Sequence, residues 1–196
     1  MNVRSDPSID EDRQLVSQVL SRAPGAFERL VARFQGLCWH IVSRMTRDRE
    51  DTRDLCQETF LRVYRYLHQY RFESPLRAWI GQVAYATTLR HLQRKRIPVI
   101  APMGEDDLTA RVGEIPDDFD LEADAVDTET LYALHAAIDA LPPLQRTILT
   151  LYYLDELPIA EITQITGVAE GTIKSHLFRS RTRLREMLET HARARQ

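Results

Sequence analysis

The sequence predicts an all-α protein, two small helical domains joined by an acidic linker. Three observations carry that prediction. Apolar residues recur at intervals of three and four through almost every periodic segment. Glycine is scarce, with seven in 196 residues, so the chain has few places to turn sharply. Between Ile97 and Asp127 the periodicity stops, and ten acidic residues face a single basic one, Arg111.

The elements follow in order. Residues 1–21 read as a tail with a first helix. From Ala26 to Met45 a helix is marked by Phe27, Leu30, Val31, Phe34, Leu37, Cys38, Ile41, Val42 and Met45. From Thr52 to Tyr70 the same spacing is kept by Leu55, Cys56, Thr59, Phe60, Val63 and Leu67. Ser74-Pro75 has the form of a helix start, a capping hydroxyl followed by proline in the first helical position. The helix after it, to about Arg96, is expected to bury Leu76, Trp79, Ile80, Val83, Leu89 and Leu92. Residues 22–96 thus form a three- to four-helix bundle. Residues 97–127, with Pro98, Pro102, Pro116, Gly104 and Gly113, form the linker. Helical spacing resumes near Thr128 with Leu131, Leu134 and Ile138, and breaks at Leu141-Pro142-Pro143. It continues through Leu144, Ile148, Leu149 and Tyr152, and breaks again at Leu157-Pro158. Residues 128–196 make the second domain.

Composition narrows the function. A hydrophobic fraction of 43% and a charged fraction of 28% suit a soluble globular protein. The N-terminus lacks the apolar core of a signal peptide, and no run approaches the length of a membrane span, so the expected location is cytoplasmic, with no membrane partner. Cys38 and Cys56 match no zinc motif and are expected as buried thiols. The six histidines, 40, 68, 91, 135, 176 and 191, have no metal-ligand spacing, and neither a phosphate-binding glycine loop nor a nucleophile motif is present. Neither metal, cofactor nor catalysis is expected. The formal net charge of −3 conceals basic blocks: four of the seven residues from Arg90 to Arg96, and seven Lys or Arg against two Glu from Lys174 to Arg195. Such blocks are either solvated helix faces or two surfaces for an anionic polymer.

The segment from Pro158 to Arg181 decides for the polymer. Ile159, Ile162 and Ile165 form the apolar stripe of a short helix, Gly167 supplies the left-handed residue of a tight elbow, and Val168 packs beneath it. Ile173, Leu177, Leu184 and Leu188 face the core of a second helix. Thr172 stands near its start, placed to cap it or bind a phosphate, and Lys174, Ser175, Phe178, Arg179 and Arg181 occupy the opposite face. Cationic and hydroxyl side chains at a helix start suit a DNA major groove.

Residues 171–185, Gly-Thr-Ile-Lys-Ser-His-Leu-Phe-Arg-Ser-Arg-Thr-Arg-Leu-Arg, resemble the DNA-reading helix of bacterial sigma-70-type factors of the extracytoplasmic-function (ECF) group. Leu141-Pro-Pro-Leu-Gln-Arg resembles the start of their fourth conserved region, and Asp51–Leu61 and Tyr70–Arg96, with Trp79, resemble their second. The resemblance implies a partner, core RNA polymerase, held through its β′ coiled coil and β flap, and promoter DNA as ligand. It assigns Thr172, Lys174, Ser175, Phe178 and Arg179 to the −35 element. Tyr70, Arg71 and Phe72 fall to the −10 element, and Asp51, Asp54, Gln57, Glu58 and Leu61 to polymerase. The acidic linker would thread a cationic channel as a mimic of nucleic acid. A stand-alone helix-turn-helix regulator is the alternative; it would carry a ligand pocket or receiver domain in place of the N-terminal bundle.

Two departures from the family pattern stand out. Ala86 occupies a position that commonly carries an Asn for a flipped base, leaving −10 recognition to the Tyr70–Ser74 loop and neighbours; Tyr85 is either a stacking platform or a core residue. The family usually reads Asp-Ala-Glu-Asp where this chain reads Asp51-Thr52-Arg53-Asp54. Arg53 opposes a basic partner. Thr52, read as a first-turn residue among free N–H groups, is a candidate phosphorylation site whose added charge restores the missing carboxylate. The charge-poor motif resembles that of ECF groups associated with Ser/Thr kinases, which implies Thr52 phosphorylation as an on-switch; a kinase or an anti-sigma factor is the expected regulator.

Overall fold

The computed structural model describes residues 7–99 and 128–193, all of whose regular structure is helical. The acidic segment from residue 100 to 127 lies outside the described residues. Two compact units are present, and none of the described helices is long and apolar enough to cross a membrane.

The first unit holds α1 (Pro7–Leu20), α2 (Ala26–Thr46), α3 (Arg49–Tyr66), a 3-10 turn (Leu67–Gln69) and α4 (Leu76–Arg94). Gly25, in the left-handed region at φ 72°, turns the chain into α2, and Arg47, also left-handed, ends it by donating its N–H to the Ser43 carbonyl. α2 packs against both α3 and α4. The core consists of Leu30, Ile41, Val42, Met45, Val63, Leu67, Leu76 and Ile80, with Leu15, Val16 and Val19 of α1 buried as well. The first helix is therefore a packed member of this unit, through the apolar triad Leu15-Val16-Val19. Trp79, Val83 and Leu89, expected in the core, are only half-buried.

Two helix starts differ from expectation. α3 begins three residues before Thr52, because the Asp48 carboxylate accepts the Asp51 N–H at 2.7 Å and acts as N-cap. α4 begins at Leu76, with Pro75 as N-cap and no capping bond from Ser74. The Leu76 N–H instead donates to the Asp12 carboxylate of α1 at 3.2 Å.

The second unit contains α5 (Thr128–Asp139), α6 (Pro143–Tyr153), the first part of α7 (Ile159–Thr166), up to Thr163, and α8 (Glu170–Arg193). α5 and α6 both pack on α8, around Ala137, Leu141, Leu149 and Leu184 with Ile138 and Met187 at the edge. Leu131, expected to face this core, is exposed, since the buried stripe of α5 runs through Ala137 instead. Arg146 is 2% exposed, and its guanidinium donates to the carbonyls of Asp139 at 3.1 Å and Leu141 at 2.8 Å. A cation thus satisfies the carbonyl end of α5 at the point where Pro142 and Pro143 stop the helix.

Candidate nucleic-acid interface and partner surface

The α7–α8 elbow forms as its residues dictate. Gly167 sits at φ 72°, Ile162 and Ile165 are buried on one side of it, and Ile173, Leu177 and Leu184 on the other; Ile159, Val168 and Leu188 are half-buried. With the stripe spent inward, the first turns of α8 offer Thr172, exposed, and Phe178, 54% exposed. Lys174 lies beside them, its Nζ 2.7 Å from Glu170, and the Ser175 hydroxyl donates to the Gly171 carbonyl at 2.9 Å. Arg179 and Arg181 are half-buried, and Arg181 reaches toward the Tyr153 hydroxyl at 3.4 Å. The five residues assigned to the −35 element plus Arg181 thus share one helix end, with Thr172 and Phe178 its most exposed members.

The loop between the 3-10 turn and α4 is built on aromatic packing. Tyr70 is buried; its hydroxyl donates to the Ser74 carbonyl, and burial pushes its pKa up to about 12. Its ring stacks at 4.6 Å on Phe72 and at 5.4 Å on Trp79. Phe72 is held in the left-handed region at φ 59°, a strained state for a bulky residue, and remains 38% exposed. Arg71 is exposed. Of the three residues assigned to this loop, Tyr70 is its inner brace, and Arg71 and Phe72 its outer surface. Tyr85 is buried, which raises the pKa of its phenol and settles it as a core residue.

The residues assigned to polymerase divide between two sides of α3. Asp54, Gln57 and Leu61, spaced three and four apart, are exposed together, with Leu61 59% exposed. Asp51 turns toward α4: its carboxylate lies 2.7 Å and 3.0 Å from Lys95 Nζ and 3.3 Å from His91 Nε2. The Lys95 hydrogen bond is the largest influence; it outweighs desolvation and, with the nearby His91, holds the Asp51 carboxyl below its ordinary range. Glu58 pairs with Arg62 at 2.7 Å. A groove of about 480 Å³ between α2 and α3 is lined by Trp39, Arg53, Cys56, Gln57 and Phe60. Cys56 is therefore only half-buried, while Cys38 is fully so; both are free thiols, and a hydrogen bond with Cys56 and then burial push the Cys38 thiol up.

Thr52 departs from its expected setting. It is 1% exposed. Its N–H is already paired with the Asp48 carbonyl at 3.0 Å, its hydroxyl donates to the same carbonyl, and the Thr46 hydroxyl lies 3.0 Å away. With Asp48 as N-cap, Thr52 closes the first turn and has no free N–H of its own.

The description Sigma-70 region 2 matches residues 30–97, and Sigma-70, region 4 matches residues 131–184. The ECF RNA polymerase sigma factor SigM of Bacillus subtilis is 34% identical over 149 residues, 76% of this chain and 86% of its own. The ECF RNA polymerase sigma-E factor of Haemophilus influenzae is 31% identical over 181 residues, 91% and 93% of the two chains. This chain belongs to the ECF group of the sigma-70 family.

Two solved structures share the fold at 20% identity. They are CnrH in complex with the cytosolic domain of CnrY (TM-score 0.63, 91% of this chain and 97% of that one) and RpoE in complex with the anti-sigma factor NepR from Bartonella quintana (TM-score 0.57, 84% and 98%). Sigma factors are initiation factors that bind core RNA polymerase and promoter DNA, not enzymes. In this ECF factor the elbow and the first turns of α8 fall inside the region 4 match, and α3, the aromatic loop and α4 inside the region 2 match. Asp12 and Arg13, which touch that loop and the start of α4, precede it. Motif reading passed over both, as it did Lys95, His91 and Arg146.

Proposed function

We propose that this ECF sigma factor docks on core RNA polymerase through the Asp54–Gln57–Leu61 side of α3 and the adjoining α2–α3 groove. It reads the −35 element with Thr172, Lys174, Ser175, Phe178, Arg179 and Arg181, and opens the −10 element with the Tyr70–Phe72 loop. The observation that carries this reading is the two-faced α8, apolar toward α5 and α6 and cationic and hydroxylic at its opposite, N-terminal side. That arrangement suits insertion in a major groove. Asp51 and Glu58 join the polymerase surface as second-rank residues, because each is already paired within the molecule. Run-off transcription with purified core polymerase is the test. Specific transcripts that need both proteins support the reading, and promoter-specific DNA binding by the chain alone, unchanged by core, favours the stand-alone regulator.

Control by an anti-sigma factor accords with the capture of two fold relatives in complexes, one with an anti-sigma factor. Control by Thr52 phosphorylation requires the first turn of α3 to open before a kinase can reach the hydroxyl, given its burial. Whichever mode operates, the charge of Arg53 against a basic partner predicts that Arg53→Glu, on the exposed side of the same turn, strengthens core binding at low salt, by roughly two- to five-fold for one surface charge pair. Equal core affinity of wild type and Arg53→Glu across salt concentrations refutes a role for Arg53 in weakening the contact.

A further inference from the structure

The N-terminal helix supplies two adjacent side chains to the loop that the proposed function assigns to promoter opening. Asp12 is 4% exposed, yet it carries a carboxylate. One oxygen lies 3.2 Å from Arg33 of α2, and the other accepts the Leu76 N–H at 3.2 Å, in the first turn of α4, sixty-four residues away in sequence. Pro75, the N-cap of α4, has no side chain able to accept a hydrogen bond, so the Leu76 donor is served from another helix. Next to Asp12, Arg13 is exposed and sets its guanidinium 5.5 Å from the centre of the Phe72 ring. Phe72 in turn stacks on Tyr70, and Tyr70 on Trp79 of α4. The loop is thus held at two points from α1: at its middle, exposed aromatic by Arg13 and at its exit into α4 by Asp12. A left-handed Phe72 persists only where its surroundings hold it, and Arg13 and Tyr70 are two groups packed against it.

We propose that Asp12 and Arg13 are positioning residues for promoter opening: they hold the Tyr70–Ser74 loop in the shape that captures the separated −10 strand, without touching polymerase. Burial of the Asp12 carboxylate beside Arg33 makes the cap rigid, and the cation over Phe72 fixes the one exposed ring of the loop. This inference rests on the assignment of the Tyr70–Phe72 loop to the −10 element, and the experiment separates the two.

The test assembles holoenzyme from full-length chain and core polymerase. It measures affinity for core, then affinity for a forked promoter whose −10 region is already single-stranded, and permanganate reactivity on the matching duplex. The variants are Arg13→Ala, Arg13→Lys, Asp12→Ala, Asp12→Asn, Phe72→Ala, Arg71→Ala and the double variant Arg13→Ala with Phe72→Ala. Arg13→Ala should bind core as wild type does but lose five-fold or more in fork affinity, with Arg13→Lys recovering part of it. Most of the Arg13→Ala loss should vanish in the Phe72→Ala background, because the two side chains act as a pair. Asp12→Asn, which keeps an acceptor for Leu76, should lie between wild type and Asp12→Ala; even if Asp12→Ala folds poorly, the Asn and Arg13 variants decide the matter. Wild-type fork affinity and permanganate reactivity in Arg13→Ala and Asp12→Asn, while Phe72→Ala is impaired, overturn the positioning role alone. If Phe72→Ala and Arg71→Ala also behave as wild type, the assignment of the loop fails and this inference with it.

Discussion

Thr52 offers the sharpest collision between charge pattern and packing. A charge-restoring phosphate there is attractive on sequence grounds, but the hydroxyl lies at the closed junction of α2 and α3, between the Asp48 carbonyl and the Thr46 hydroxyl. Three substitutions separate the consequences. Thr52→Val keeps the shape and removes the hydroxyl's hydrogen bonds with the Asp48 carbonyl and the Thr46 hydroxyl; the first retains the Thr52 N–H and the second the Val42 carbonyl, so the cost should be at most about 1 kcal/mol. Thr52→Ala loses those bonds and a buried methyl and should cost about 1–2 kcal/mol. Thr52→Glu forces extra volume and a charge into a site 1% exposed, and should cost at least about 3 kcal/mol. The readout is unusually selective: both tryptophans, Trp39 and Trp79, belong to the first unit, so their fluorescence in a urea titration reports that unit alone. Core affinity is measured on the same samples below the unfolding transition. A Thr52→Glu protein that keeps the wild-type midpoint and binds core more tightly would refute the burial argument and favour the phosphate switch.

Three further outcomes are expected. Arg179→Ala should weaken transcription from a −35-dependent promoter by about 1–3 kcal/mol if it reads a base, relaxing preference at one position; Lys174→Ala, already paired with Glu170, should cost less and fall on all sequences alike. Wild-type promoter activity in both variants sinks the groove assignment. Arg146→Met should strip the carbonyls of Asp139 and Leu141 of a buried cationic donor and destabilise the second unit by about 3–5 kcal/mol, seen as faster hydrogen exchange through α5 and α6; unchanged protection would show the cap to be dispensable. Because the Asp51 carboxyl is held below its ordinary value of 3.8, chiefly by Lys95, its contribution to stability is complete above that value and fades as pH falls through the depressed folded-state pKa. The stability gap between wild type and Asp51→Asn should therefore be flat near neutrality and close below about pH 4, and a gap that instead grows on acidification contradicts the ion pair.

What was legible in the sequence was local. Ile162, Ile165, Ile173, Leu177 and Leu184 declare their helices by spacing, and Gly167 declares the elbow, because period and left-handed tolerance are properties of a few neighbouring residues. The start of α3 lies three residues before the one the apolar spacing predicts: Asp48 is the N-cap, which puts Thr52 at the fourth helical position, where the N–H is spent. The partnerships Asp12–Leu76 and Asp51–Lys95 span 64 and 44 residues, and no periodicity can announce them. They have a common consequence. Both tie the ends of α4, its start to α1 and its last turn to α3, so the helix that carries Trp79 is held at each end by a carboxylate from another helix. For the strand capture proposed for this surface such rigidity is an advantage, since every degree of freedom frozen beforehand is one that DNA binding does not have to freeze.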